Sequence, residues 1–403
     1  MANHLFYEGD VKMVDMSKHM RDTLQNVPSQ KIFDFSQFTS TIDDIIQLTI
    51  GEPDFNTPEH IKQAGIQAIN DNHTHYAPQR GTAGLLKAVS DYLKDTTGVD
   101  YDPKTQILVT NGVTEGAFAA LNAIVNPGDV VLVPTPTFSI YTADVAIAGG
   151  TAVEVDTSPA NFRLTPELLK PYLDKYGDRV KAIVVVNPSN PTGVAMNQAE
   201  LDAIADLVRD KNIFILADEI YSELWYAGEA ASITKALPEQ TILVNGLSKS
   251  YAMTGWRVGY LAAPQDVVAK IFKVHAFAVT DVATFVQDAA QEALTNGRTD
   301  YQPMEQAYIK RRDVMKAALQ KMGWQCTAPQ GAFYIFARIP AYLDQNDEDL
   351  AYDMAKTAKV AATPGSYFGK GGEHYMRFSY ATALDKIKVA MERLAKYCQN
   401  HQE

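Results

Sequence analysis

Two cysteines, Cys326 and Cys398, stand far apart in 403 residues. That is too few for a disulfide framework or a Cys/His zinc cluster, and it suits a reducing compartment. No basic run breaks a formal net charge of −12, so nucleic acid is not an expected partner. No apolar stretch approaches the ~20 residues of a membrane span. The opening MANHLFYEGD has polar and acidic residues where a signal peptide needs an apolar core. A cytoplasmic protein with no membrane partner is the expectation. Internal repeats and low-complexity tracts are missing as well. His73, His75 and His275 lack partners at metal-ligand spacing and read as structural, so no metal is expected; Glu115 and Glu219 read as solvated or capping acids.

What is present is an alternation of apolar runs and amphipathic segments. Residues 1–30 lack firm periodicity and read as an arm or a first helix. Thr57 and Pro58 suggest a helix start over residues 58–70, and Thr82 a cap for a helix through Tyr92. Strands are predicted at 107–110, 130–133, 151–155, 182–186, 213–217 and 241–244. Helices lie between several of them, with start signals at Thr165 then Pro166 and at Asn197 with Glu200 three residues on. Apolar strands separated by helices predict an α/β fold with a mostly parallel sheet covered on both faces. After about residue 294 the rhythm changes. A long helix over 301–322, an alternating strand in GAFYIFARI, a helix near 348–359, a strand at 376–381 and a last helix over 384–397 predict a smaller α+β unit. The expected division is 1–48 as arm and part of the small domain, 49–293 as the large domain, and 294–403 as the small one.

Several strand ends carry chemistry. The strand before Val186 runs into NPSNPTG and Asn190; the next delivers DEIY, with Asp218 and Tyr221; the strand at 241–244 leads to Lys249. Parallel strands share a carboxyl edge, so an amide, a carboxylate, a phenol and an amine are expected to face one cleft. A further strand ends at Thr110, and Gly112, Val113 and Thr114 open a helix there. A helix N-terminus attracts anions, and Arg257 adds a charged fork. A lysine that can lose its proton, a buried carboxylate and a phosphate cradle together suit pyridoxal phosphate.

The stretches NPSNPTG, ADEIYSEL, NGLSKSYAMTGWRVGY and PGSYFG occur in that order, and nearly the whole chain resembles fold type I pyridoxal-phosphate enzymes of the class I and II aminotransferase family. The resemblance implies Lys249 as the Schiff-base lysine, Asp218 on the pyridine nitrogen, and Tyr221 with Asn190 on the ring oxygen. Arg257, Val113 and Thr114 would hold the phosphate, and Phe138 would stack on the ring. Arg377 would clamp the substrate α-carboxylate, with Gly51 leaving room for it, and Tyr76 would reach the neighbouring subunit's phosphate, which implies a homodimer. The chain departs from the family's pattern at Gly246, where many members have a phosphate-binding serine, and at Phe138, where many have tyrosine or tryptophan. Within the family it is similar to bacterial aromatic and N-acetyl-diaminopimelate aminotransferases, which pass an amino group to 2-oxoglutarate. The aromatic substrate is placed first. No lysine or arginine occurs from Val274 to Gly297, against strict aspartate specificity. A carbon-sulfur β-lyase of the same fold is the rival enzyme reading, and a non-catalytic sensor the remaining one.

Overall fold

The computed structural model describes residues 16–29 and 31–402. The first fifteen residues of the expected arm lie outside the described residues. Helix α1 (Lys31–Ser40) leads to β1 (Ile46–Gln47), α2 (Glu59–Asn70) and α3 (Ala83–Thr97). Then come β2 (Ile107–Thr110), α4 (Gly112–Ile124), β3 (Val130–Thr135), α5 (Ile140–Ala148), β4 (Thr151–Asp156), α6 (Pro166–Tyr176), β5 (Val180–Val186), α7 (Gln198–Val208), β6 (Phe214–Asp218), β7 (Thr241–Gly246) and β8 (Gly259–Ala262). Helices α8 (Gln265–Val279), α9 (Thr284–Asn296) and α10 (Gln302–Lys321) precede β9 (Gln325–Cys326) and β10 (Tyr334–Arg338). The remainder is α11 (Asp347–Asp353), β11 (Val360–Ala361), β12 (Thr363–Pro364), β13 (Tyr375–Ser379) and α12 (Leu384–Asn400).

Seven strands form one sheet in the order β2-β8-β7-β6-β5-β3-β4. All run parallel except β8, which is antiparallel to β7 and β2. The period of two along each strand sorts its side chains onto two buried faces. Val109, Leu132, Ile183, Ile215 and Leu243 join one core with residues of α2, α3, α6, α7 and α9. Leu108, Val131, Val184, Leu216 and Val244 join another with α4, α5 and α8. Both faces are covered, which is why these strands read as unbroken apolar runs rather than alternating ones. A third core gathers α1, α10, α11 and α12 against an antiparallel sheet of order β12-β13-β10-β9.

The caps at Thr82, Thr165 and Asn197 are as expected, the last with a complete capping box to Glu200. Thr57 is different. Pro58 is the extended residue before α2, and no side chain caps that helix. The Thr57 hydroxyl instead donates to the Ala252 carbonyl at 2.8 Å and accepts from Trp256 Nε1 at 3.1 Å, tying this turn to the segment that follows Lys249. No helix among the described residues is long and apolar enough to cross a membrane.

Candidate active site

Strands β5, β6 and β7 are neighbours, so their carboxyl ends open at one edge of the sheet. A cavity of about 310 Å³ lies there, lined by Asn190, Asp218, Tyr221, Lys249, Arg257 and Arg377. Gly51, Val113, Thr114 and Phe138 line it too. Gly112 borders it. Its φ of +76° favours glycine, and a Cβ there would meet Arg257 Nη2 at 2.6 Å. Tyr76 is not in this group. It stands 88% exposed in a separate depression with Thr74, His75 and Asp281.

Lys249 reaches into the cavity and donates to the Gly51 carbonyl oxygen at 2.6 Å. Burial brings its amine down to about 8; Arg257 and Arg377 push the same way, and Glu52 and Asp218 oppose. The neutral amine, which is the nucleophile, is therefore far more accessible than in a solvated lysine.

Asp218 closes β6. Burial pushes its carboxyl up, while three neighbours hold it back: the Tyr141 hydroxyl donates to Oδ2 at 2.5 Å, the Ile220 N–H to Oδ1 at 3.0 Å, and Lys249 adds a positive charge. A cationic N–H set against Asp218 would stabilise its charged form further. Tyr221 is buried, with its hydroxyl 3.0 Å from that of Tyr334.

Arg377 points inward from β13. Its Nη1 donates to Asn190 Oδ1 at 2.9 Å and its Nη2 to the Thr49 carbonyl at 2.6 Å, while Tyr334 and Phe368 flank the guanidinium at 4.6 and 4.8 Å. Its Nε is buried without a partner. A buried guanidinium that lines the cleft, with its fork held in place by Asn190 and the Thr49 carbonyl, is a ready carboxylate clamp.

At the other end, α4 begins without a side-chain cap from Asn111, leaving its first amides for a ligand. Arg257 stands over this turn, held by Nη1 to the Thr254 carbonyl at 2.9 Å.

Comparison with known proteins fits this geometry. Residues 43–394 match the family described as aminotransferase class I and II. The chain belongs to that family. A probable N-acetyl-LL-diaminopimelate aminotransferase of Bacillus subtilis is 40% identical over 92% of the chain and 93% of its own length. Aromatic-amino-acid aminotransferase 2 of Thermococcus litoralis is also 40% identical, over 94% and 97%. The solved aspartate aminotransferase of Thermus thermophilus with maleate superimposes with a TM-score of 0.89 at 34% identity, covering 94% of this chain and 99% of that one.

As a class I and II aminotransferase, the protein depends on pyridoxal phosphate. Its residues fit that group. The accessible amine of Lys249, the Asp218 carboxylate braced from behind, and the uncapped α4 turn that a Cβ at Gly112 would crowd match an aldehyde, a ring nitrogen and a phosphate respectively. Reading the sequence missed Tyr141 and Tyr334. Tyr141 lies three residues after Phe138 and Tyr334 in GAFYIFARI, but their partners are 77 and 113 residues away, so no local pattern marks them.

Proposed function

We propose that the enzyme transfers the amino group of an aromatic L-amino acid to 2-oxoglutarate. One observation carries this reading. Among the described residues lining the cavity, the cations are Lys249, Arg257 and Arg377, and none is spare for a dedicated ion pair with a second carboxylate, so that of 2-oxoglutarate is left to neutral donors or rearrangement of the pocket. The rest of the wall includes Ile32, Phe138, Ile140 and Tyr334. An aromatic side chain would bury its area against such a wall, at about 25 cal/mol per Å².

Bound pyridoxal phosphate supplies an aldehyde and an electron-accepting ring. Arg257 and the first amides of α4, from Gly112 to Thr114, hold the phosphate, and Phe138 covers the ring face. Asp218 keeps the proton on the ring nitrogen. Tyr221 and Asn190 donate to the ring oxygen. Arg377 fixes the substrate α-carboxylate, next to the backbone at Gly51. Lys249 Nζ then takes the proton from the substrate Cα and returns one during the second half of the cycle. Tyr76 would serve a neighbouring subunit, which makes a homodimer the expected form; a cytoplasmic location is read from the composition alone. The division at about residues 48 and 293 is part of the same reading.

The 40% identical relative from Bacillus subtilis supports a second donor, N-acetyl-LL-diaminopimelate. Single-turnover titration of the cofactor-loaded enzyme with phenylalanine, glutamate, N-acetyl-LL-diaminopimelate and cystathionine separates the readings. Phenylalanine and glutamate should both convert the cofactor to its amine form. A far faster reaction with the acetylated donor would reassign the substrate. Pyruvate and ammonia from cystathionine without an acceptor would point to a β-lyase.

A further inference from the structure

The first turn of α4 faces a conflict. A helix N-terminus needs a cap, but a side-chain oxygen from Asn111 would occupy the amides that a phosphate needs. The turn is held from another side. Glu115 Oε2, one turn inside the helix, accepts the Asn111 N–H at 3.1 Å. Left alone, this carboxylate would place a negative charge beside the anion to be bound.

His275 of α8 meets that charge. It is fully buried, with Nδ1 at 3.1 and 3.2 Å from the two Glu115 oxygens and Nε2 at 3.0 Å from the Gln79 carbonyl oxygen. A carbonyl only accepts, so Nε2 carries a hydrogen. Nδ1 faces a carboxyl group, so one more hydrogen lies between ring and acid. Whichever of the two holds it, the pair has no net charge. Neither residue lines the cavity, and neither is a surface group: of the two roles the sequence suggests for Glu115, solvated or capping, it takes the capping one, and His275 is a structural histidine with this acid as its partner.

We propose that His275 and Glu115 are positioning residues for the cofactor phosphate. Together they fix the α4 turn without using its ligand-facing amides and without leaving a negative charge beside them. The inference rests on the reading that the α4 turn and Arg257 hold the phosphate. It deepens that reading by assigning the pair that sets the turn's charge and shape.

The test is binding, not turnover. The full-length protein, stripped of cofactor, is titrated with pyridoxal phosphate and with pyridoxal, which lacks the phosphate, and binding is followed by fluorescence. His275→Ala should weaken pyridoxal phosphate about tenfold or more, because it leaves the mostly enclosed Glu115 carboxylate without its partner, while pyridoxal stays within about twofold. Adding Glu115→Gln should restore most of the loss, since the amide oxygen still accepts the Asn111 N–H. Equal weakening of both compounds, no weakening, or no recovery in the double variant would overturn the inference. If His275→Ala does not fold, His275→Gln carries the same comparison, keeping a donor for Gln79 while leaving the carboxylate charged. Arg257→Ala, run in parallel, should discriminate against pyridoxal phosphate alone. Its failure to do so would remove the phosphate reading itself, whereas success of Arg257→Ala with an unchanged His275→Ala would remove only the role of the pair.

Discussion

Lys249 sits at about 8, against the 10.5 of a free lysine, and burial is the main cause. The rate at which the cofactor-free protein captures pyridoxal phosphate covalently should rise about tenfold per pH unit up to about pH 8 and then level off; a break near 10.5 would mean a solvated amine. The same depression acts on stability. Between about 8 and 10.5 the unfolded chain binds a proton that the folded one does not, so stability rises with pH across that window. Below pH 8 both forms are charged and the whole cost of burying the ammonium remains. Lys249→Ala should abolish turnover and borohydride-fixed cofactor while leaving the circular dichroism spectrum intact; substantial residual transamination would refute the assignment. Tyr141→Phe removes a charge-assisted hydrogen bond to Asp218 and should lower kcat about tenfold, with little change in KM. An unchanged kcat would show that the Ile220 N–H suffices. Lys249, Asp218, Tyr221 and Asn190 were legible as one group because each follows a strand that the sequence marks. Tyr141, Tyr334 and His275 were not, because their roles depend on partners brought near only by the fold.

At the scale of elements, strong local signals located the strands of the parallel sheet to within about two residues, and the caps at Thr82, Thr165 and Asn197 were readable for the same reason. Asn197→Ala should lower the unfolding free energy by about 1 kcal/mol, seen as a lower urea midpoint at constant slope, with no effect on kcat. Thr57 misled because a hydroxyl before a proline has the form of a cap, yet tertiary partners at Ala252 and Trp256 claimed it. Strand β8 was missed. Only four residues long and opening on a glycine, it follows the lysine loop with no turn signal of its own, and its antiparallel insertion between β7 and β2 is a property of the sheet.

For the whole molecule, the cavity lies where two packed units meet: the parallel sheet contributes Asp218 and Lys249, and β13 of the antiparallel sheet contributes Arg377. Two large aromatic side chains stand on the outside of the single chain, Tyr76 at 88% and Phe277 at 95% exposure, and the proposed shared site assigns Tyr76 to a neighbouring subunit. Sedimentation velocity should show a dimer, and Tyr76→Ala should weaken cofactor binding without dissociating it; a monomer with full cofactor affinity would refute the shared site. The juncture of β7 and β8 also limits how this chain can change. A Cβ at Gly246 would lie 2.9 Å from Gly259 Cα and 3.0 Å from the Val258 carbonyl oxygen, both backbone atoms that cannot swing aside. The serine that the family resemblance leads one to expect at this position would thus require β8 to shift. The departure at Gly246 is therefore coupled to the β7–β8 pairing, and the two can change only together.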